Sequence, residues 1–256
     1  MSSMNAISAQ GIQKKFGAVT AAADVQMTIA HGERVSLIGS NGAGKTTFVN
    51  MLTGYIKPDA GEIMLDGQSI IGMPPRQIAR MGVARSFQVP QLYHSLTVQN
   101  NLLAALAAQQ STLYFLQPAK NADSVARAAE ILQRFDLSMH ADRLVSELPG
   151  GVRKLLDIAM ALTSQPNVLL LDEPTSGVSA DEKFPMMDTV MRALEGSRTT
   201  VLFVEHDMDI VLRYSQRVIA FYSGRIIADD QPSKALAMPD VKRYVTGEMS
   251  ADTDHA

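Results

Sequence analysis

The sequence predicts an α/β fold whose core is interrupted by a mostly helical insertion. Two observations carry that prediction. The compact apolar runs at Arg34–Gly39, Asn167–Leu171, Thr199–Val204 and Val218–Tyr222 are separated by helix-like sequence, the rhythm of an α/β core. Between them, Asn100 to Gln109 and Asp123 to Phe135 are Ala/Leu-rich with helical periodicity and are joined by a polar link around Pro118 to Asn121.

Taken in order, Ile7 to Ile29 reads as strand-like runs broken by Gly11 and Gly17, and His31-Gly32-Glu33 as a polar turn. Arg34–Gly39 is a buried strand ending in glycine before a loop, and Phe48–Leu52 continues beyond that loop with helical spacing. Glu62–Gly67 resembles a hairpin strand and its turn, and Pro74-Pro75 open a helix through Arg80, since proline suits a first turn. The tail after Met249 is small and polar and is expected to fray.

Composition narrows the function. The chain has 256 residues, 46% hydrophobic and 19% charged, the balance of a globular protein with a sizeable core. A formal net charge of -3 argues against retention on nucleic acid by bulk positive charge, and no nucleic-acid partner is expected. With no cysteine there is no disulfide scaffold, Cys-ligated zinc site or thiol nucleophile. No run reaches the ~18 apolar residues of a membrane span, and MSSMNAISAQ lacks the features of a secretory signal, so the cytosol is expected.

Gly39-Ser40-Asn41-Gly42-Ala43-Gly44-Lys45-Thr46-Thr47 matches G-x-x-x-x-G-K-[ST] between a strand and a helix. Glycines let successive N–H groups turn inward into an anion cradle, and the helix from Lys45 adds its positive end there. Lys45 is expected to bridge the β and γ phosphates and the Thr46 hydroxyl to ligate Mg²⁺. Leu169-Leu170-Leu171-Asp172-Glu173 is an apolar strand ending in two carboxylates, where open α/β sheets bind ligands. Asp172 is placed to hold Mg²⁺ and Glu173 to orient or deprotonate a water. A second strand, Thr200–Val204, ends in Glu205-His206-Asp207, from which His206 can reach a γ-phosphate. Gln88 leaves another strand after Ala84-Arg85-Ser86-Phe87, and its amide oxygen can ligate Mg²⁺ or hold the attacking water. Phe16 is a candidate to stack on adenine or, alternatively, to pack in the core.

With these motifs in hand, the chain resembles the ATPase subunit of an ABC transporter over nearly its whole length. The carriers are GSNGAGKTT (39–47), SFQ (86–88), ELPGG (147–151), LLLDEPTSG (169–177) and EHD (205–207), in the family's order. GVARSFQ (82–88) and PNVLLLDEPTSG (166–177) look most like the importer branch for branched-chain amino acids and related hydrophobic or aromatic acids. The resemblance implies one ATPase domain over 5–247, a P-loop NTPase with a RecA-like core. Within it, 5–88 and 164–247 form that core with an antiparallel β subdomain, 89–163 form a helical subdomain, and 248–256 a flexible tail.

It also implies roles: Phe16 on adenine, Gly39 to Thr47 on the phosphates, and Gln88 linking nucleotide to membrane subunit. Thr46, Gln88 and Asp172 would hold the metal, Glu173 would be the catalytic glutamate and His206 the γ-phosphate switch. ATP and Mg²⁺ are the implied cofactors. The implied partners are integral membrane permease subunits and a second ATPase subunit paired head to tail, homo- or heterodimeric. A substrate-binding protein acts indirectly, and the location is the cytoplasmic face of the inner membrane. Pro149, Gly150 and Gly151 would face the other subunit's nucleotide. Two departures stand out: Pro149 replaces the family's signature serine and Ser179 an aspartate after the catalytic glutamate. They keep open the reading of a slow or non-hydrolytic ATP clamp. An ABC-type ATPase free of a transporter is a separate alternative, but such proteins usually carry two linked cassettes or a long coiled coil. One cassette of 256 residues with net charge -3 offers neither.

Overall fold

The computed structural model describes residues 5–109 and 121–247. The tail 248–256 and residues 118–120 of the polar link lie outside them. The described residues fall into two compact units, one within Met1–Val83 and Thr200–Ala256 and the other within Ala84–Thr199.

The first unit opens with the antiparallel pair β1 (Ile7–Phe16) and β2 (Val19–Ile29). The break expected at Gly11 is a register shift within β1, because the strand resumes pairing at Ile12. β4 (Ala60–Leu65) pairs with β1, and the short β5 (Gln68–Ser69) closes a hairpin with it, giving a sheet of order β2-β1-β4-β5. Alternating burial along β1 and β2 leaves one face of this sheet on the core and the other wet.

β3 (Arg34–Gly39) lies at the centre of the unit's other strands. It pairs in parallel with β8 (Thr200–Val204) on one side and β9 (Arg217–Tyr222) on the other. Parallel strands covered on both faces need continuous apolar side chains, and Thr200–Val204 is buried throughout. β10 (Arg225–Asp230) pairs antiparallel with β9 at the edge. α1 (Lys45–Leu52) follows β3 and buries Phe48, whose ring lies 5.9 Å from that of Phe221 on β9. Ile38, Val218, Ala220 and Ala228 join Val211 of α7 (Met208–Tyr214), Ala235 of α8 (Pro232–Ala237) and Val241 in one buried cluster. α2 (Pro75–Arg80) begins at Pro75 as expected.

The second unit holds β6 (Val83–Ser86), at its boundary, beside β7 (Val168–Asp172), with α6 (Ala180–Leu194) following. Between the two strands run α3 (Val98–Gln109), α4 (Ala122–Arg134) and α5 (Gly150–Leu162), and α3 packs against both α4 and α5. Asn121 and Ser124 make a reciprocal cap at the start of α4. Asn101 on α3 is fully buried: its amide donates to the Tyr93 and Thr97 carbonyls and accepts the Tyr93 N–H, pinning the chain that enters the helix.

Candidate functional site

In the first unit, β3 runs out at Gly39, where a Cβ would stand 2.4 Å from the Phe221 carbonyl oxygen. Only glycine fits, and the chain must turn there. At the far end of the loop Gly44 has φ +110, and a Cβ would lie 2.3 Å from the Ala21 carbonyl oxygen. Ala43 is tied across the bend by its N–H to the Ser40 carbonyl and by its own carbonyl to the Gly224 N–H at 2.9 Å. α1 starts directly after Gly44 without a capping side chain, leaving its first-turn N–H groups to the loop's concave side. Lys45 is buried, and its ammonium folds back to donate to the Gly39 carbonyl at 2.7 Å and the Ser40 carbonyl at 3.1 Å. Asn41, Gly42 and Thr46 are exposed, and Ser40 and Thr47 half-buried. A buried cation resting on neutral carbonyls above an uncapped helix start fits a polyphosphate: the anion would replace weak acceptors by strong ones.

Phe16 ends β1 with 48% of its surface exposed and the Lys14 ammonium 5.4 Å from its ring centroid. An exposed ring is available for stacking, which the core-packing alternative does not account for. His206 is exposed just past β8. Its N–H and that of Asp207 donate to the buried Glu205 carboxylate, at 3.0 and 3.3 Å, and the Asp207 side chain caps α7. Glu205 thus shapes the turn that presents His206, a role sequence reasoning did not assign.

In the second unit β7 is buried along its whole length and delivers Asp172 and Glu173 at its tip. Asp172 Oδ2 accepts from Arg85 Nη2 at 2.6 Å, both side chains being only 10% exposed. Glu173 has φ +47, a left-handed conformation that costs a non-glycine residue about 1–3 kcal/mol and that clusters at functional sites. Its Oε2 accepts from Gln88 Nε2 at 2.6 Å, so Gln88 and Glu173, 85 positions apart, meet. Pro149 is the N-cap of α5 and supplies neither an N–H nor a capping oxygen, so the exposed Gly150 and half-buried Gly151 start the helix uncapped. Ser179 precedes α6, its hydroxyl donating to Glu182 at 2.9 Å. Arg85, Lys154 and Asp157, all anchored around residues 85–91, went unnoticed in the sequence. The available signal was charge inside apolar runs.

A glycine-bent loop holding a buried lysine between a parallel strand and a helix defines a P-loop nucleoside-triphosphatase. The chain belongs to the ABC transporter family, whose pattern matches residues 22–176, and it is an ATP-hydrolysing cassette of that family. Curated relatives span almost all of it. LivG of Escherichia coli (strain K12), a high-affinity branched-chain amino acid transport ATP-binding protein, is 38% identical over 94% of this chain and 98% of its own. BraF of Pseudomonas aeruginosa, of the same description, is 34% identical over 93% and 96%. The crystal structure of the ADP conformation of an ATP-binding cassette from an ABC transporter superposes with TM-score 0.82. It is 31% identical and covers 94% of this chain and 98% of that one. Among the described residues no helix is long and apolar enough to cross a membrane.

Proposed function

We propose that this chain energises import of branched-chain or related hydrophobic amino acids by hydrolysing ATP at the cytoplasmic face of a membrane, against permease subunits. The observation that carries the substrate class is the near end-to-end match to LivG. Lys45 and the loop amides would hold the β and γ phosphates, with Phe16 against adenine. All the candidate metal donors, Thr46, Gln88 and Asp172, offer oxygen, the set Mg²⁺ prefers. The metal, when bound, neutralises charge developing on the phosphates. Glu173 takes the proton of the attacking water, and Gln88, donating to Glu173 Oε2, orients that carboxylate. His206 donates to the γ-phosphate. Two such cassettes pair head to tail, so that residues 149–151 face the partner's nucleotide.

One observation supports a slower variant of this reading. With Pro149 at its N-cap, α5 has no hydroxyl to offer a γ-phosphate, so the site completed by this chain's Gly150 and Gly151 works chiefly as an ATP clamp.

The test is ATP hydrolysis and leucine uptake by the complex reconstituted in vesicles with its permease and binding protein. Magnesium-dependent hydrolysis stimulated by the loaded binding protein is expected. Nucleotide binding with no leucine-dependent turnover would overturn the transport assignment.

A further inference from the structure

α5 carries two charged residues on its buried face, and both reach into one short stretch of chain. The Lys154 side chain, 2% exposed, donates from Nζ to the Phe87 and Gln88 carbonyls, each at 2.9 Å. Asp157, three residues on and 6% exposed, accepts from the fully buried Ser86 hydroxyl at 2.6 Å and from the Gln91 N–H at 3.0 Å. Four hydrogen bonds from one helical turn therefore fix residues 86–91, and the Gln88 amide at the centre of that stretch holds Glu173. Burying a cation and a carboxylate is costly, and apolar residues of similar size fill such a place with equal or greater stability. What the charged pair supplies and an apolar pair does not is a fixed backbone path between Ser86 and Gln91.

We propose that Lys154 and Asp157 are positioning residues for hydrolysis, setting the Gln88 backbone so that its amide aims at Glu173. Because α5 begins at Gly150, this pair also makes the helix a rigid link. A tilt imposed at Pro149–Gly151 by nucleotide in the opposite subunit moves Lys154 and Asp157 with it, and so shifts Gln88 and Glu173 of this chain. The link rests on the head-to-tail reading above; the positioning role rests only on Gln88 and Glu173 belonging to the hydrolytic site.

The experiment measures kcat, KM for ATP and nucleotide affinity in the purified transporter complex for wild type, Lys154→Met, Lys154→Arg, Gln88→Ala and Lys154→Met/Gln88→Ala. Lys154 acts on the reaction only through Gln88, so the expected loss in kcat for Lys154→Met is the worth of one charge-assisted bond, roughly 10- to 100-fold, with KM and nucleotide affinity within about twofold of wild type. Arginine, which donates to two carbonyls, restores most of it. In the Gln88→Ala background the Lys154 change costs less than about twofold more, because Lys154 acts through Gln88. Additive losses, a parallel fall in nucleotide affinity, or no rescue by arginine would overturn the proposal.

If Lys154→Met fails to fold, Ser86→Ala removes one bond to Asp157 and leaves the cation in place. It is read by the same split between kcat and KM and the same comparison in the Gln88→Ala background. Glu173→Gln separates the two levels: undiminished hydrolysis there overturns the site itself, whereas its loss beside additive Lys154 effects overturns only the positioning role.

Discussion

At the scale of single residues, the phosphate loop depends on places where a side chain does not fit and the proposed hydrolytic site on one residue held in an unfavourable conformation. Gly44→Ala places a methyl 2.3 Å from a backbone carbonyl at positive φ, so the loop must open. The expected outcome is loss of nucleotide binding in a fluorescent-nucleotide titration while the far-UV spectrum stays native. Glu173→Gln keeps the shape of the β7 tip and removes the carboxylate proposed to take the water's proton. Hydrolysis should fall by at least ~10²-fold with nucleotide affinity preserved, as read by single-turnover kinetics beside equilibrium binding. Pro149→Ser restores a capping hydroxyl at the start of α5 and should raise turnover by roughly tenfold, since a hydrogen bond to a charged group is worth ~1.5–3 kcal/mol.

At the scale of elements, α1 holds the loop's far end, and Phe48 against Phe221 is what docks it. Phe48→Ala should cost about 3–5 kcal/mol in urea unfolding and weaken nucleotide binding with it. α5 adds a pH signature. Burial pushes the Asp157 carboxyl above its ordinary 3.8, against the pull of the Ser86 hydroxyl and the Gln91 N–H. The folded chain thus holds that proton more tightly than the unfolded chain. This contribution to stability is complete below the ordinary value and is lost as pH rises through the raised folded value. Asp157→Asn lacks the titration. Its unfolding free energy relative to wild type should rise across that window and then level off, as read by urea midpoints from acid to neutral pH.

For the whole molecule, the head-to-tail pairing proposed above sets Pro149 against the opposite subunit's nucleotide, whereas Lys45, Asp172, Glu173 and His206 would act on this chain's own. In a heterodimer whose other subunit has an intact signature, Glu173→Gln in this chain should nearly abolish steady-state turnover. The equivalent change in the partner should matter much less. Equal losses would refute the asymmetry.

Periodicity and end signals made most of the fold legible, because each depends on residues close in sequence. The strand Arg34–Gly39 is found at those limits, the helix after Pro74 starts at Pro75, and the later runs became β7, β8 and β9. β10 escaped notice because an edge strand such as Arg225–Asp230 mixes charged and half-buried residues and presents no continuous apolar run. The phosphate loop was legible for the same local reason: glycine spacing, a lysine and a hydroxyl sit within nine residues.

Pairings between distant residues were not legible. Gln88 with Glu173, Arg85 with Asp172, and Lys154 and Asp157 with residues 86–91 join positions 66 to 87 apart. The order of residues along a chain determines which backbone bends and which groups carry charge. Which of those groups face one another, and which buried charge therefore finds a partner, is decided only when the strands and helices pack and water is excluded between them.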